Sequence, residues 1–187
     1  LEFLPFGEFK SKGDYSGSDL KREEKPKLML AVTYDHNSNA VKNRSNQGSY
    51  MSNDVGYYET DIQTLFVDAM FKFKGFSLMA EYADRDAKDP IAKNSDGSET
   101  GAIVQVGKGL NLQSGYLFKN NWEVSGRYST AELDKAITGV DPEKQYTLGL
   151  SKFIVGHSLK VQTDISLIDV ANRGDEVLYR LQFDIHF

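Results

Sequence analysis

At the end of the chain Val177, Tyr179, Leu181, Phe183, Ile185 and Phe187 alternate with Leu178, Arg180, Gln182, Asp184 and His186. One face of this segment is apolar throughout and the other is polar except at Leu178. A period of two is the pattern of an extended strand, whose successive side chains point to opposite faces. The same alternation recurs at residues 28–35, 64–73, 76–83, 110–118, 122–129, 146–151 and 159–168, which predicts eight strands in all. A ninth, weaker candidate covers residues 1–6, where Pro5 removes a ladder donor.

The connections predicted between these strands alternate in length. Lys74-Gly75, Lys119-Asn120-Asn121 and Val155-Gly156-His157-Ser158 are hairpin turns, whereas residues 36–60, 84–101 and 130–145, and the shorter 171–176, are polar loops. Short turns at one end and long loops at the other are the pattern of the periplasmic and extracellular ends of a membrane barrel.

A soluble antiparallel sheet also alternates apolar and polar positions, so the aromatic residues carry the distinction. Phe73, Phe76, Phe118 and Trp122 flank the tight turns, as Phe153 does before the third, while Tyr34, Tyr82, Tyr128, Tyr146 and Tyr179 stand at the long-loop ends. Rings with one wet and one apolar side favour the headgroup level of a bilayer, so two such girdles predict a transmembrane antiparallel up-and-down β-barrel. Phe187 would then mark the periplasmic rim and close the barrel. One conflict of phase stands out: if Leu150 faces lipid, so does Lys152, and Phe153 faces inward, unless a bulge or a snorkelling Lys152 intervenes.

Composition narrows the classes further. The 187 residues carry a net charge of −5, with no dense Lys/Arg stripe, so no nucleic-acid partner is expected. There is no cysteine, hence no disulfide framework or thiol site. No run of about 18 apolar residues offers a transmembrane helix, a test to which barrel strands are invisible. The start at Leu1, in mid-strand, reads as a mature or truncated piece.

Candidate chemistry lies on the polar face. The basic candidates for a lumen wall are Lys72, Arg85, Arg127, Lys160 and Arg180, and the acidic ones are Asp35, Asp68, Glu81, Glu123, Asp164 and Asp184. Lumen charges tune selectivity, and opposite charges on neighbouring strands also pair and stiffen a wall. Asp84, Asp86, Asp89, Asp96 and Glu99 could offer oxygens to Ca²⁺ in an outer loop, but their spacing misses the EF-hand pattern and no cofactor is expected. His36, His157 and His186 fall on different ends or faces, and no nucleophile–base pattern suggests an enzyme.

Several stretches resemble the phosphate-selective porin O and P family of Gram-negative outer membranes. They are Leu4-Pro-Phe-Gly-Glu-Phe9, Asp19-Leu-Lys-Arg-Glu-Glu-Lys-Pro-Lys27, Asn46-Gln-Gly-Ser-Tyr50, residues 59–70, Gly75-Phe-Ser-Leu-Met-Ala-Glu-Tyr82, residues 107–118 and the closing residues 179–187. The resemblance implies a barrel of about sixteen strands in the bacterial outer membrane, of which this chain would hold the C-terminal eight or nine. It implies lipid as the surrounding phase, a homotrimer or a larger envelope complex, and passive diffusion of small hydrophilic solutes, with anions such as phosphate among them. In this reading residues 1–26 supply a weak first strand and a long connection, and residues 27–187 the regular strands. Residues 11–26 lie on the side of the tight turns, and porins of this family fold such segments into the lumen. The mixed charge of the wall departs from the ladder of cations that phosphate selectivity implies. A barrel with a blocked lumen serving as a subunit of an outer-membrane assembly, and a complete eight-stranded barrel, are the alternatives.

Overall fold

A computed structural model describes residues 1–186, so the expected rim residue Phe187 lies outside the described residues. The chain is all-β, with 66% of its residues in strands. Nine of these make one antiparallel sheet in which each strand pairs with its sequence neighbour. They are β1 (Glu2–Phe3), β2 (Lys27–Ala40), β3 (Thr60–Phe73), β4 (Phe76–Ala87), β5 (Gly107–Leu117), β6 (Trp122–Leu133), β7 (Glu143–Val155), β8 (Leu159–Val170) and β9 (Gly174–Ile185).

The eight strands expected from alternation are all present, and most run further toward the loops than the pattern reached. Beyond Asp35 both faces of β2 are polar, so periodicity is silent, yet pairing with β3 continues to Ala40 opposite Thr60 through an irregularity after Asn37. The expected loop 171–176 is a tight turn. β8 and β9 pair as far as Val170 opposite Gly174, and Asn172 turns with φ 67°. The polar Asp175 and Glu176 hid the start of that strand. The weak N-terminal candidate is reduced to Glu2 and Phe3, opposite Ala31 and Leu30. Its hold on the sheet is extended by Leu1, whose ammonium donates to Val32 O at 2.8 Å while Val32 N donates back to Leu1 O at 2.9 Å.

Tight turns at the opposite end fix the register. Lys74 and Gly75 take φ of 50° and 90°, the left-handed pair a two-residue hairpin requires. A Cβ on Gly75 would stand 2.6 Å from Leu117 O of the adjoining hairpin. Gly75→Ala is therefore expected to cost about 1–3 kcal/mol through strain, read as a lowered denaturation midpoint with the denaturant slope unchanged.

The apolar core sits at the loop end rather than under the middle of the sheet. Short hairpins at Lys42–Arg44 with Gln47–Tyr50, Ser52–Asn53 with Gly56–Tyr57, and Ile91–Lys93 with Glu99–Ile103 fold together there. They bury Ala40, Met51, Ile62, Ala87, Ala92, Val104 and Val106. Asp54 ties two of the hairpin tips together: its carboxylate accepts from the Ser95 amide at 2.8 Å and from the Ser95 hydroxyl. These bonds hold the Asp54 carboxyl below the usual carboxylate range. The long loops are thus a packed cap with its own core.

Candidate functional site

Register, which the sequence does not supply, sorts the side chains of β2–β9 into two faces. One cross-strand row on the outer face reads Leu28, Phe71, Leu78, Ser114, Gly126, Leu148, Ile165 and Tyr179. Rows parallel to it carry the other expected girdle residues, Tyr34, Tyr82, Tyr128, Tyr146, Phe73, Phe76 and Trp122. Phe118 lies just past β5, its ring 5.1 Å from that of Tyr116. The face is apolar and uncovered: Leu148 is 66% exposed, Tyr179 67% and Phe183 66%. An exposed apolar surface of this extent marks a site of interaction with another protein or with a membrane.

The aromatic residues on this face do not follow one row; they descend across the sheet. Taking the row of Leu28 and Tyr179 as reference, Tyr34 on β2 stands three rows nearer the loops, Tyr82 on β4 two, and Tyr128 and Tyr146 one. At the turn end Phe73 and Phe76 stand one row below the reference, Trp122 and Phe183 two, and Ile185 three. Outer-face charge follows the same slope, beginning at Asp84 and Lys108 on β4 and β5 but one row lower, at Lys144, Asp169 and Asp175, on β7–β9. The tyrosine belt drops six residues over the seven strand steps from β2 to β9. At about 3.3 Å per residue and about 4.8 Å per strand, such a belt is level when the strands lean by roughly 30°. From Phe73 to Leu65 the apolar face of β3 then spans roughly 23 Å of height.

Lys152 and Phe153 resolve their conflict without a bulge between them. Lys152 faces outward opposite Trp122 and Val161. Its ammonium bends back to Asn120 O at 2.6 Å and lies 5.3 Å over the Trp122 ring. Phe153 faces inward, buried edge-on to His157 at 5.8 Å, so it belongs to no outer girdle. The irregularity comes after it, between Phe153 and Val155.

The inner face is polar, and the five basic candidates share it without forming one cluster. Arg180 grips Asp164, its Nε at 3.0 and 3.2 Å from the two carboxylate oxygens. Lys160 pairs with Asp184 at 3.2 Å, and Arg85 Nε donates to Thr64 Oγ1 at 3.3 Å. Arg127 Nε is buried and has no partner among the described residues. Arg180 and Lys160 are thus both engaged in ion pairs across β8 and β9. The candidate Ca²⁺ oxygens are dispersed: Asp84 pairs with Lys108 at 3.6 Å, Asp86 accepts from the Ala87 amide and Asp96 from Ser98. His36, His157 and His186 contact Ser38, Phe153 and Asp184, three separate places.

Lys72 does something different. The connection between β1 and β2 turns inward, with a 3₁₀ turn at Lys10–Tyr15, and lies against the inner face at the turn end. The buried Lys72 ammonium donates to Gly13 O at 2.6 Å, Ser18 O at 2.8 Å and Ser16 Oγ at 3.2 Å. That uses all three of its donors. Ser18 Oγ donates to the buried Glu123 at 2.8 Å. Asp19, 1% exposed, accepts from Gly75 N at 2.8 Å and from Glu23 N at 3.0 and 3.1 Å. Arg22 reaches Phe118 O at 2.6 Å and Asn121 Oδ1 at 3.0 Å. The segment is thus bonded to two successive tight hairpins, β3–β4 and β5–β6, and Asp19, Glu23 and Ser18 are functional candidates that periodicity could not find. Their one signal in the sequence is a long connection where the neighbouring ones are short.

Between this segment and the turns lies a cleft of about 540 Å³ bordered by Lys10, Lys12, Lys21, Arg22, Lys72 and His157, with Asp19 and Glu23. Burial first, and then the ammonium groups of Lys160 and Lys72, hold the His157 imidazole below its ordinary pKa range. Comparison of the chain with protein-family models, with characterised proteins and with solved structures found no match.

Proposed function

We propose that this chain forms the wall of an outer-membrane β-barrel pore through which small hydrophilic solutes diffuse passively. The observation that carries the reading is the slanted outer belt. A roughly 30° lean approaches the 35–45° tilt of barrel strands, and a height of roughly 23 Å matches their apolar band of about 25 Å. A water-facing sheet has no reason to sort its aromatic residues along a slope. The polar inner face fits a wetted lumen, while open sheet edges are not tolerated in lipid. In the proposed state the edge of β9 is therefore paired by further strands, by a second copy or by the N-terminal side of the sheet.

The inserted segment narrows this lumen near its periplasmic end, and the basic residues around the 540 Å³ cleft favour anions there. The same segment, held by buried bonds, favours a second reading in which the lumen is blocked and the barrel serves as a subunit of an envelope assembly. Planar-bilayer recording of the folded protein separates the two. Stepwise currents are expected from a pore, with a reversal potential in a salt gradient that reports anion preference. Silence from folded, inserted protein would reject the pore and leave the blocked barrel.

A further inference from the structure

The chain has four methionines, and register brings three of them together. Met29 of β2, Met70 of β3 and Met79 of β4 stand directly opposite one another in one inner-face row. Side chains opposed in this way have Cβ atoms about 4.5–5.5 Å apart. With three rotatable side-chain bonds each, their sulfurs can converge on one point. In the adjoining row Asp68 stands directly opposite Glu81. Glu81 accepts from Asn111 at 2.7 Å, and among the described residues neither carboxylate has an ion-pair partner.

Two features set this row apart from ordinary packing. Methionine often serves as an adaptable filler of core gaps, and Met70 is buried at 3% exposure while Met29 and Met79 are only partly buried. Here Met29, Met70 and Met79, with Asp68 and Glu81, border a cavity of about 330 Å³ whose far side is Asp14–Gly17 of the inserted segment. Like charges opposed across strands are also destabilising, so the Asp68–Glu81 pair would gain from a cation beside it. Thioether sulfur is a soft donor and selects soft metals. With no cysteine in the chain, the methionines are its softest ligands.

We infer that Met29, Met70 and Met79 form a lumen-face site for a soft monovalent cation of the Cu(I) or Ag(I) type, with Asp68 and Glu81 supplying compensating charge. The inference rests on register and chemistry and does not depend on whether the barrel conducts. The fourth methionine provides a built-in control, because Met51 is buried in the cap at the loop end. With the methionine methyl groups ¹³C-labelled in the folded full chain, Ag⁺ is expected to shift the signals of Met29, Met70 and Met79 saturably and to leave that of Met51 in place. Met70→Leu, a volume-conserving change, is expected to weaken Ag⁺ binding at least tenfold, while Met51→Leu leaves it unchanged. Absence of saturable shifts, equal shifts at all four methionines, or the same shifts with Ca²⁺ in place of Ag⁺ would each overturn the site. The methyl titration of the unsubstituted chain decides the question even if a variant fails to fold.

Discussion

Lys72→Met is expected to free the inserted segment. The methionine fills a similar volume but donates no hydrogen bond, so Gly13 O, Ser18 O and Ser16 Oγ lose the ammonium that now meets them at 2.6–3.2 Å. Asp19, Glu23 and Glu123 lose the cation buried among them. Removing one partner from a buried charged arrangement typically costs about 3–5 kcal/mol, because the other charges stay buried and uncompensated. The docked state of residues 10–24 is the structure that loses this energy, since the sheet ladder of β3 does not use the Lys72 side chain. Trypsin should then cut the variant faster at Lys10, Lys12, Lys21 and Arg22, and single-channel current should rise. If the parent is silent, current should appear only in the variant. Arg180→Ala supplies the comparison: its ion pair with Asp164 is nearly half exposed, and such pairs are worth about 0–1 kcal/mol. Equal protease resistance in the Lys72 variant and the parent would mean that the segment is held by something other than this lysine.

Leu148→Arg tests the apolar belt. Leu148 lies in the reference row, between the Tyr146 and Lys152 levels of β7, and is two-thirds exposed. Arginine near the midplane of a lipid-facing barrel surface costs about 2–4 kcal/mol. On a water-facing sheet the same exposed substitution would change stability by no more than about 0.5 kcal/mol. The two readings therefore differ in outcome by several-fold. Unfolding in lipid vesicles can be followed by the fluorescence of Trp122, the single tryptophan of the chain. Ser129→Arg, on the inner face opposite Asn111 and Gln145, should be much milder because a wetted lumen accommodates charge. A Leu148 variant as stable as the parent in lipid would remove the main support for membrane insertion.

How much of this was legible beforehand varies from residue to residue. Tyr179, Leu181 and Phe183 declare their common face by spacing alone, and the same holds for Leu65, Val67 and Phe71. The extra length of β2 beyond Asp35 and the early start of β9 at Gly174 were not legible, because polar residues on both faces leave no contrast for periodicity to detect. The alternating connector lengths broke down at Ala171 for the same reason. Lys72 could be assigned to the inner face from its neighbours, but its burial could not. That burial depends on Gly13, Ser16 and Ser18, which are distant in sequence and meet the wall only after the hairpins are in place. A Cβ on Gly17 would stand 3.4 Å from the Gln113 amide group, which shows how closely the segment passes over the inner face.

The sequence by itself determined the all-β class, the number of regular strands, and which side chains of each strand share a face, because a strand's period of two is a local property of the backbone. The stagger between strands was decided only by the tertiary structure, since alternation is indifferent to sliding one strand past its neighbour by two residues. On that stagger depend the slope of the aromatic belt, the meeting of Met29, Met70 and Met79, and the pairing of Arg180 with Asp164. The inward course of residues 10–24 was likewise decided in three dimensions, by buried polar bonds to Lys72, Gly75 and Glu123 that no periodic pattern encodes.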